Sequence, residues 1–190
     1  MPLMRGNNKP PVELVVNDLD SKQVIMPVMR KDVIMEKSFE PVKYNKVYEP
    51  LLIDFLEQCL PESGKTLDIN GRHSCYKDIE NSFKAFWCMF DCENIIGAVA
   101  IKELDDKSCE LKSLYLMERY QGMGYGKCLL QQAIAYANES GYEKMYLDAM
   151  ATSKKAIALY RKTGFVDTER YNNNERADVF MVKSLINRYM

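Results

Sequence analysis

Histidine is almost missing from this sequence: among 190 residues there is one, His73. Six cysteines occur, at 59, 75, 88, 92, 109 and 128, but no two form a CxxC pair. A zinc site of the usual ligand spacing is therefore not expected, and no metal is assigned. The same shortage leaves Ser-His-Asp or Cys-His catalysis only His73 to work with, and no G-x-S-x-G elbow occurs. Charge of one sign is lacking too: 26 Lys and Arg stand against 27 Asp and Glu, a net charge of −1. A dedicated nucleic-acid binder would be strongly basic. No apolar run approaches the ~18 residues of a membrane span. Residues 1–11 carry Arg5 and Lys9 with no apolar stretch behind them, so no secretory signal is expected. These absences point to a cytoplasmic protein with reduced thiols, mostly buried as small hydrophobes, and with neither nucleic acid nor membrane as partner.

What is present is ordinary for a soluble globule: 47% hydrophobic and 28% charged residues. The length favours one domain, and a domain of this size buries roughly 70% of its unfolded surface. Ahead of it, residues 1–37 read as an extension. Val12–Val16 and Gln23–Val28 are β-rich runs around an Asn/Asp turn, which predicts a β-hairpin, with Pro27 limiting its second strand to an edge. A lone hairpin is not stable in water. It is expected to dock on the body of the protein or on a second subunit, where a homodimer would be built.

Residues 38–190 read as one alternating domain. A short strand is expected over 38–42. A helix follows at 50–60, where Leu52, Leu56 and Leu60 recur at i, i+4; Pro50 suits its first turn, and Pro61 with Gly64 stops it. After a loop at 64–73 and a short helix at 76–82, strands at 83–90 and 95–102 form a hairpin. Cys109–Leu116 is the next strand. Lys127–Ser140 is a helix with Leu130, Ala133, Ile134 and Ala137 on one face and Gly141 behind it. A strand at 144–149 precedes a helix at 154–163, for which Ser153 is a good N-cap and Gly164 the stop. Two strands, 165–171 and 178–183, close the chain around an Asn-rich loop. The pattern predicts a strand-dominated α/β domain with an antiparallel first half, centred on the strand–turn–helix–strand–helix unit from Cys109 to Thr163.

The informative segment is Gln121-Gly122-Met123-Gly124-Tyr125-Gly126-Lys127, which follows a strand and opens a helix. Glycines at alternate positions let the backbone turn tightly with its N–H groups outward, and a helix N-terminus adds about half a positive charge. Phosphate suits such a place, and so does plain tight packing; the spacing leaves both open. It is not a P-loop, because Gln121 stands where the earlier glycine is needed and Cys128 follows Lys127. Nor is it a Rossmann fingerprint, because its spacing is G-x-G-x-G and an antiparallel hairpin precedes it.

With Gln121, Gly124 and Gly126 the segment resembles the [QR]-x-x-G-x-[GA] signature of the GNAT superfamily of N-acetyltransferases. Glu110–Leu116 looks like that family's fourth strand. Ala156–Phe165, read Ala-Ile-Ala-Leu-Tyr-Arg-Lys-Thr-Gly-Phe, looks like its tyrosine helix followed by Gly-Phe. The resemblance covers about residues 38–186. It implies an α/β fold of the α+β kind, with a mixed, mostly antiparallel central sheet and helices on both faces, together with acetyl-CoA as co-substrate, an amine of a small molecule or a protein as acceptor, and direct transfer of the acetyl group. An acyl-CoA-binding sensor or interaction module without turnover is the alternative.

The resemblance also implies roles. The glycine turn, Gln121 to Lys127, would hold the CoA pyrophosphate. Leu114, Tyr115 and Leu116 would offer a strand edge to pantetheine and an N–H to the acetyl carbonyl. Ser153 stands where the family usually has a cofactor-contacting Asn. Tyr160 matches the tyrosine that serves as acid toward the CoA thiolate, with a buried core tyrosine as its plain alternative. An amine with a Lys-like pKa near 10.4 must lose a proton, so a base is needed. Glu110 is the first candidate, with a strand carboxylate paired to Lys112 as its plain alternative. Asp148 is the second. Arg72 and His73 on one loop and Tyr171 on another would line the acceptor pocket.

Overall fold

The computed structural model describes residues 39–185. The hairpin expected at 12–28 lies outside them. The described elements run β1 (Pro41–Lys43), α1 (Glu49–Glu62), α2 (Ile79–Ser82), β2 (Ala85–Asp91), β3 (Asn94–Asp105), β4 (Ser108–Leu116), α3 (Tyr125–Glu139), β5 (Lys144–Ala149), α4 (Lys154–Lys162), β6 (Val166–Asp167) and β7 (Val179–Ser184). Single 3₁₀ turns precede α1, α2 and α3. The strands form one seven-stranded sheet in the order β1-β2-β3-β4-β5-β7-β6. Every neighbouring pair is antiparallel except β4 with β5. This is the mixed, mostly antiparallel sheet that the family resemblance implies, and its first half is antiparallel as the sequence pattern predicts.

Helices cover both faces because the central strands are apolar at successive positions, which point to opposite sides. On one side Leu52, Leu56 and Leu60 of α1 and Ile79 of α2 bury against Phe86, Cys88, Ala98 and Ala100. On the other, Leu129, Ala133 and Ala137 of α3 and Ile157 and Tyr160 of α4 bury against Trp87, Met89, Val99, Ile101 and Met145. At roughly 25 cal/mol per Å² of apolar surface, these two layers drive the fold.

Element ends differ from the periodicity. Pro50 sits in the first turn of α1 as its fixed φ favours. Pro61 does not stop that helix but lies in its last turn, and Gly64 follows with φ +69°. The α3 helix opens at Tyr125, two residues before Lys127, because left-handed Gly124 already turns the chain into it. The strand expected over 165–171 shrinks to β6. Past it, Arg170 turns back to the carbonyls of Asn174 (2.9 Å) and Ala177 (3.1 Å), folding the following residues into a loop. All six cysteines are free. No helix among the described residues is long and apolar enough to cross a membrane.

Candidate active site

The site begins where two parallel strands part. β4 pairs with β5 at Ser108–Lys144, Cys109–Met145 and Glu110–Tyr146, and the ladder stops there. From Leu111 onward β4 keeps its antiparallel partner β3 on one side and has no strand partner on the other among the described residues. Beyond that point no strand pairing joins Leu111–Leu116 to Leu147–Ala149, and we call the parting between these two segments the cleft. Its floor contains a bulge. Lys112 faces Ala100 and Tyr115 faces Ala98, so Ser113 and Leu114 together oppose Val99. Ser113 takes a left-handed φ of +55°, which costs a non-glycine residue about 1 kcal/mol. Such strain gathers at functional sites. The hydroxyls of Ser113 and buried Tyr76 share a 2.7 Å hydrogen bond that holds the bulge.

At the open end of β4 lies the glycine turn. Gly122 and Gly124 are left-handed (φ +82° and +91°), and a Cβ added at either would meet nothing within 4 Å. Packing therefore does not require glycine there; the backbone conformation does, and the space outside is open. From Gly122 through Lys127 no backbone N–H has a protein acceptor among the described residues; the first helical bond at this end is Cys128 N–H to the Gly124 carbonyl, 3.1 Å. Unmatched donors at a helix N-terminus make an anion cradle. Gln121 fixes its edge, donating to the Leu116 carbonyl (3.2 Å) and accepting from Lys155 of α4 (3.3 Å). Lys155 escaped the sequence reading, although a signal was present. Lys154 and Lys155 occupy the first turn of α4 and no acid does, against the helix dipole by a few tenths of a kcal/mol each. Ser153 stands at the N-cap of α4, but its side chain makes no capping bond. The expected cap is therefore corrected: the hydroxyl is not spent on the helix.

Where the strands part, an ion-pair cluster replaces the lost backbone bonds. Lys112 Nζ lies 2.9 Å from Glu110 Oε1 and 3.2 Å from Asp148 Oδ2. Glu110, 3% exposed, also accepts from Tyr171 Oη (2.7 Å) and Asn172 Nδ2 (3.0 Å). Asp148 accepts from Asn172 (2.6 Å) and Asn174 (3.2 Å). Burial alone would push the Asp148 carboxyl up; Lys112 and the two amides outweigh it and hold it below its ordinary value. Lys112 is held above its own value by the two carboxylates, against burial. The Asn-rich loop, read from sequence as a polar turn, is thus a cover tied to both carboxylates. Sequence reasoning missed Asn172 and Asn174 as site residues because turn formation already explained them.

Tyr160 packs in the core beneath the cleft, 7% exposed, its ring centroid 5.9 Å from that of Phe165. Burial, then the neighbouring Tyr115 and Asp148, pushes its phenol well above the usual value. No described group bonds to the hydroxyl, yet that oxygen is not sealed from solvent. Arg72 and His73 lie on the loop between α1 and α2. Arg72 Nη2 donates to the Thr66 carbonyl at 2.6 Å. His73 Nδ1 accepts from Asp68 N–H at 2.9 Å, so its neutral ring carries the proton on Nε2. Burial and the Arg72 charge lower its pKa. Lys65 of the same loop reaches Tyr115, its ammonium 5.7 Å from the ring centre. The structure thus brings Glu110, Asp148 and Tyr171 together, and sets the glycine turn and Gln121 beside the open edge of β4.

Comparison with known proteins agrees with this geometry. The chain is 33% identical over 89 residues to an uncharacterized N-acetyltransferase of Schizosaccharomyces pombe, 46% of this chain and 55% of that one. It is 35% identical over 78 residues to another from Dictyostelium discoideum, 40% of this chain and 36% of that one. YsnE of Bacillus subtilis, also an uncharacterized N-acetyltransferase, is 33% identical over 104 residues, 53% of this chain and 69% of that one. The chain thus spans about half or less of the first two relatives. A GNAT-family acetyltransferase structure from Staphylococcus aureus superposes with a TM-score of 0.71 at 22% identity, over 78% of this chain and all of that one. One from Elizabethkingia anophelis with acetyl-CoA bound gives 0.60 at 19%, over 79% and 100%. At these identities the structures speak for the fold. The family model described as Acetyltransferase (GNAT) family matches residues 49–165, more than half of the chain, from the start of α1 through Phe165 behind α4. The chain belongs to the GNAT family of acetyltransferases.

Proposed function

We propose that the protein moves an acetyl group from acetyl-CoA directly to a primary amine. The observation that carries this reading is the run of unmatched N–H groups from Gly122 to Lys127, set at the mouth of a cleft whose floor is an unpaired strand edge. The turn and the α3 N-terminus suit the pyrophosphate, with Gln121, Lys127, Ser153 and Lys155 around it. Met123 and Tyr125 complete the turn, and Gly126 keeps the first turn of α3 slim. The edge at Leu114, Tyr115 and Leu116 suits the extended amides of pantetheine, and a backbone N–H at the Ser113 bulge would polarise the acetyl carbonyl. When bound, acetyl-CoA supplies an activated thioester.

The chain's own groups then handle charge. Asp148 and Glu110, neutralised in part by Lys112, accept the amine's proton directly or through water. Tyr160, kept protonated by its burial, donates to the departing sulfur. Its raised pKa makes it a hydrogen-bond donor to a developing thiolate rather than a strong acid, because a thiol titrates near 8.5. Tyr171 closes the cleft over Glu110 while Arg72 and His73 wall the acceptor side. We assign residues 1–37 to an N-terminal extension and the protein's work to the cytoplasm.

The test is thiol release from acetyl-CoA with primary amines, both substrates varied. Direct transfer gives intersecting double-reciprocal lines. Parallel lines would mean an acetylated enzyme and contradict direct transfer. Binding of acetyl-CoA without thiol release for any amine would favour the sensor.

A further inference from the structure

The loop between α1 and α2 is folded tightly around Asp68. Its carbonyl accepts from the N–H groups of Gly71 (3.2 Å) and His73 (2.9 Å), and its carboxylate accepts from Arg72 N–H at 3.3 Å. A side chain at Gly71 would collide with that carboxylate. The bond from Arg72 Nη2 holds the guanidinium at the carbonyl of Thr66, the residue next to Lys65, and the two charges are close enough to repel. Two cations stand together on a fixed loop. Among the described residues neither forms an ion pair, and Asp68 binds the backbone of Arg72 rather than its side chain.

Their direction is given by Lys65. Its ammonium lies over Tyr115, on the unpaired edge of β4, and it is close enough to Asp148 for the two charges to attract. Burial, then the Arg72 charge, pushes its pKa down by more than the attraction of Asp148 raises it. Arg72 keeps further N–H donors free for a planar anion. The cleft therefore has a negative end at Glu110 and Asp148 and a positive end at Lys65 and Arg72.

We infer that the acceptor is a zwitterion, an amine that also bears a carboxylate, with the carboxylate held by Lys65 and Arg72 while the amine faces Asp148 and Glu110. This rests on the amine acetyltransferase reading above. A fixed loop with prepositioned cations binds such a group without ordering cost. A plain diamine would instead set its second ammonium against these two charges.

The experiment compares matched amines with and without the carboxylate: lysine with cadaverine, arginine with agmatine, tyrosine with tyramine. Thiol release gives kcat/KM for each. In at least one pair the carboxylate-bearing member is preferred ~10-fold or more, as losing a charge-assisted hydrogen bond implies. Lys65→Gln and Arg72→Gln each reduce that preference by about tenfold, through the acceptor KM, while calorimetric acetyl-CoA affinity reports an intact fold. Acetylation of cadaverine, agmatine and tyramine as well as or better than their partners would overturn the zwitterion assignment and leave the acetyltransferase reading standing. So would a preference that survives both substitutions. Thiol release with none of the six, from protein that binds acetyl-CoA, would overturn both.

Discussion

Lys112 Nζ lies 3.2 Å from Asp148 Oδ2, and this ion pair spans two strands that have already stopped pairing. The same ammonium lies 2.9 Å from Glu110, at the last paired position. The base of the cleft is therefore held by charge and by the Asn172 and Tyr171 bonds, not by a backbone ladder. In the reading proposed above, the arrangement keeps two carboxylates where the amine would lose its proton.

Replacing Lys112 by Gln leaves those carboxylates without their cation. Removing one partner of a largely buried pair is expected to cost about 1–3 kcal/mol at neutral pH. Asp148, released from Lys112, titrates higher because burial then dominates. The wild-type carboxyl is held below 3.8, so its contribution is complete above that value and lost as pH falls through the folded pKa. In the variant the carboxyl takes up its proton earlier, which relieves the uncompensated charge. Urea unfolding at pH 7 and near pH 4.5 checks this: the gap between variant and wild type narrows at the lower pH. An equal gap at both would contradict the role given to Lys112.

Tyr160→Phe keeps the ring against Phe165 and removes only the hydroxyl, so the fold survives. A donor to the departing sulfur contributes about 10²–10⁴-fold. The loss appears in kcat, with little change in acetyl-CoA affinity, and shrinks for a thioester with a more acidic thiol. Because burial holds the phenol protonated through the neutral range, the ratio of wild-type to variant kcat is flat from about pH 6 to 9. A variant with wild-type kcat, where chemistry limits turnover, would make Tyr160 a core tyrosine only.

Ser153 and Lys155 separate helix capping from cofactor binding. A capping serine replaced by alanine costs about 1 kcal/mol. Ser153 makes no such bond, so Ser153→Ala changes the melting temperature little. Lys155→Ala relieves a charge set against the helix dipole and leaves stability equal or higher, while acetyl-CoA affinity falls and depends less on salt. Unchanged affinity would remove Lys155 from the cofactor site.

Most strands, the helices and the glycine turn were legible because each rests on local pattern: apolar periodicity, and glycines where φ is positive. The parting of β4 from β5 came only from the family resemblance, which implies an open edge at Leu114 to Leu116; local pattern could not show it, since Leu111 to Leu116 read as strand whether or not the second neighbour is present. Partnerships across sequence were also hidden. Lys112–Asp148, Lys155–Gln121 and the seat of Lys65 over Tyr115 join residues far apart in the chain. Tyr171 was expected to face substrate, and sequence pattern held no sign that its hydroxyl reaches Glu110, 61 positions away. The family match ends at Phe165, so the Asn-rich cover lies beyond it.

The central claim is that acetyl-CoA seats its pyrophosphate on the N–H groups from Gly122 to Lys127. Calorimetric titration of acetyl-CoA into wild type and Gly124→Glu tests it most directly. The substitution puts an anion into the open space above the turn and a side chain at φ +91°. Circular dichroism reports whether the fold is kept. The account predicts saturable one-to-one binding to wild type and a loss of at least 100-fold, about 2.7 kcal/mol, in the folded variant. Equal affinity in the two proteins would contradict it.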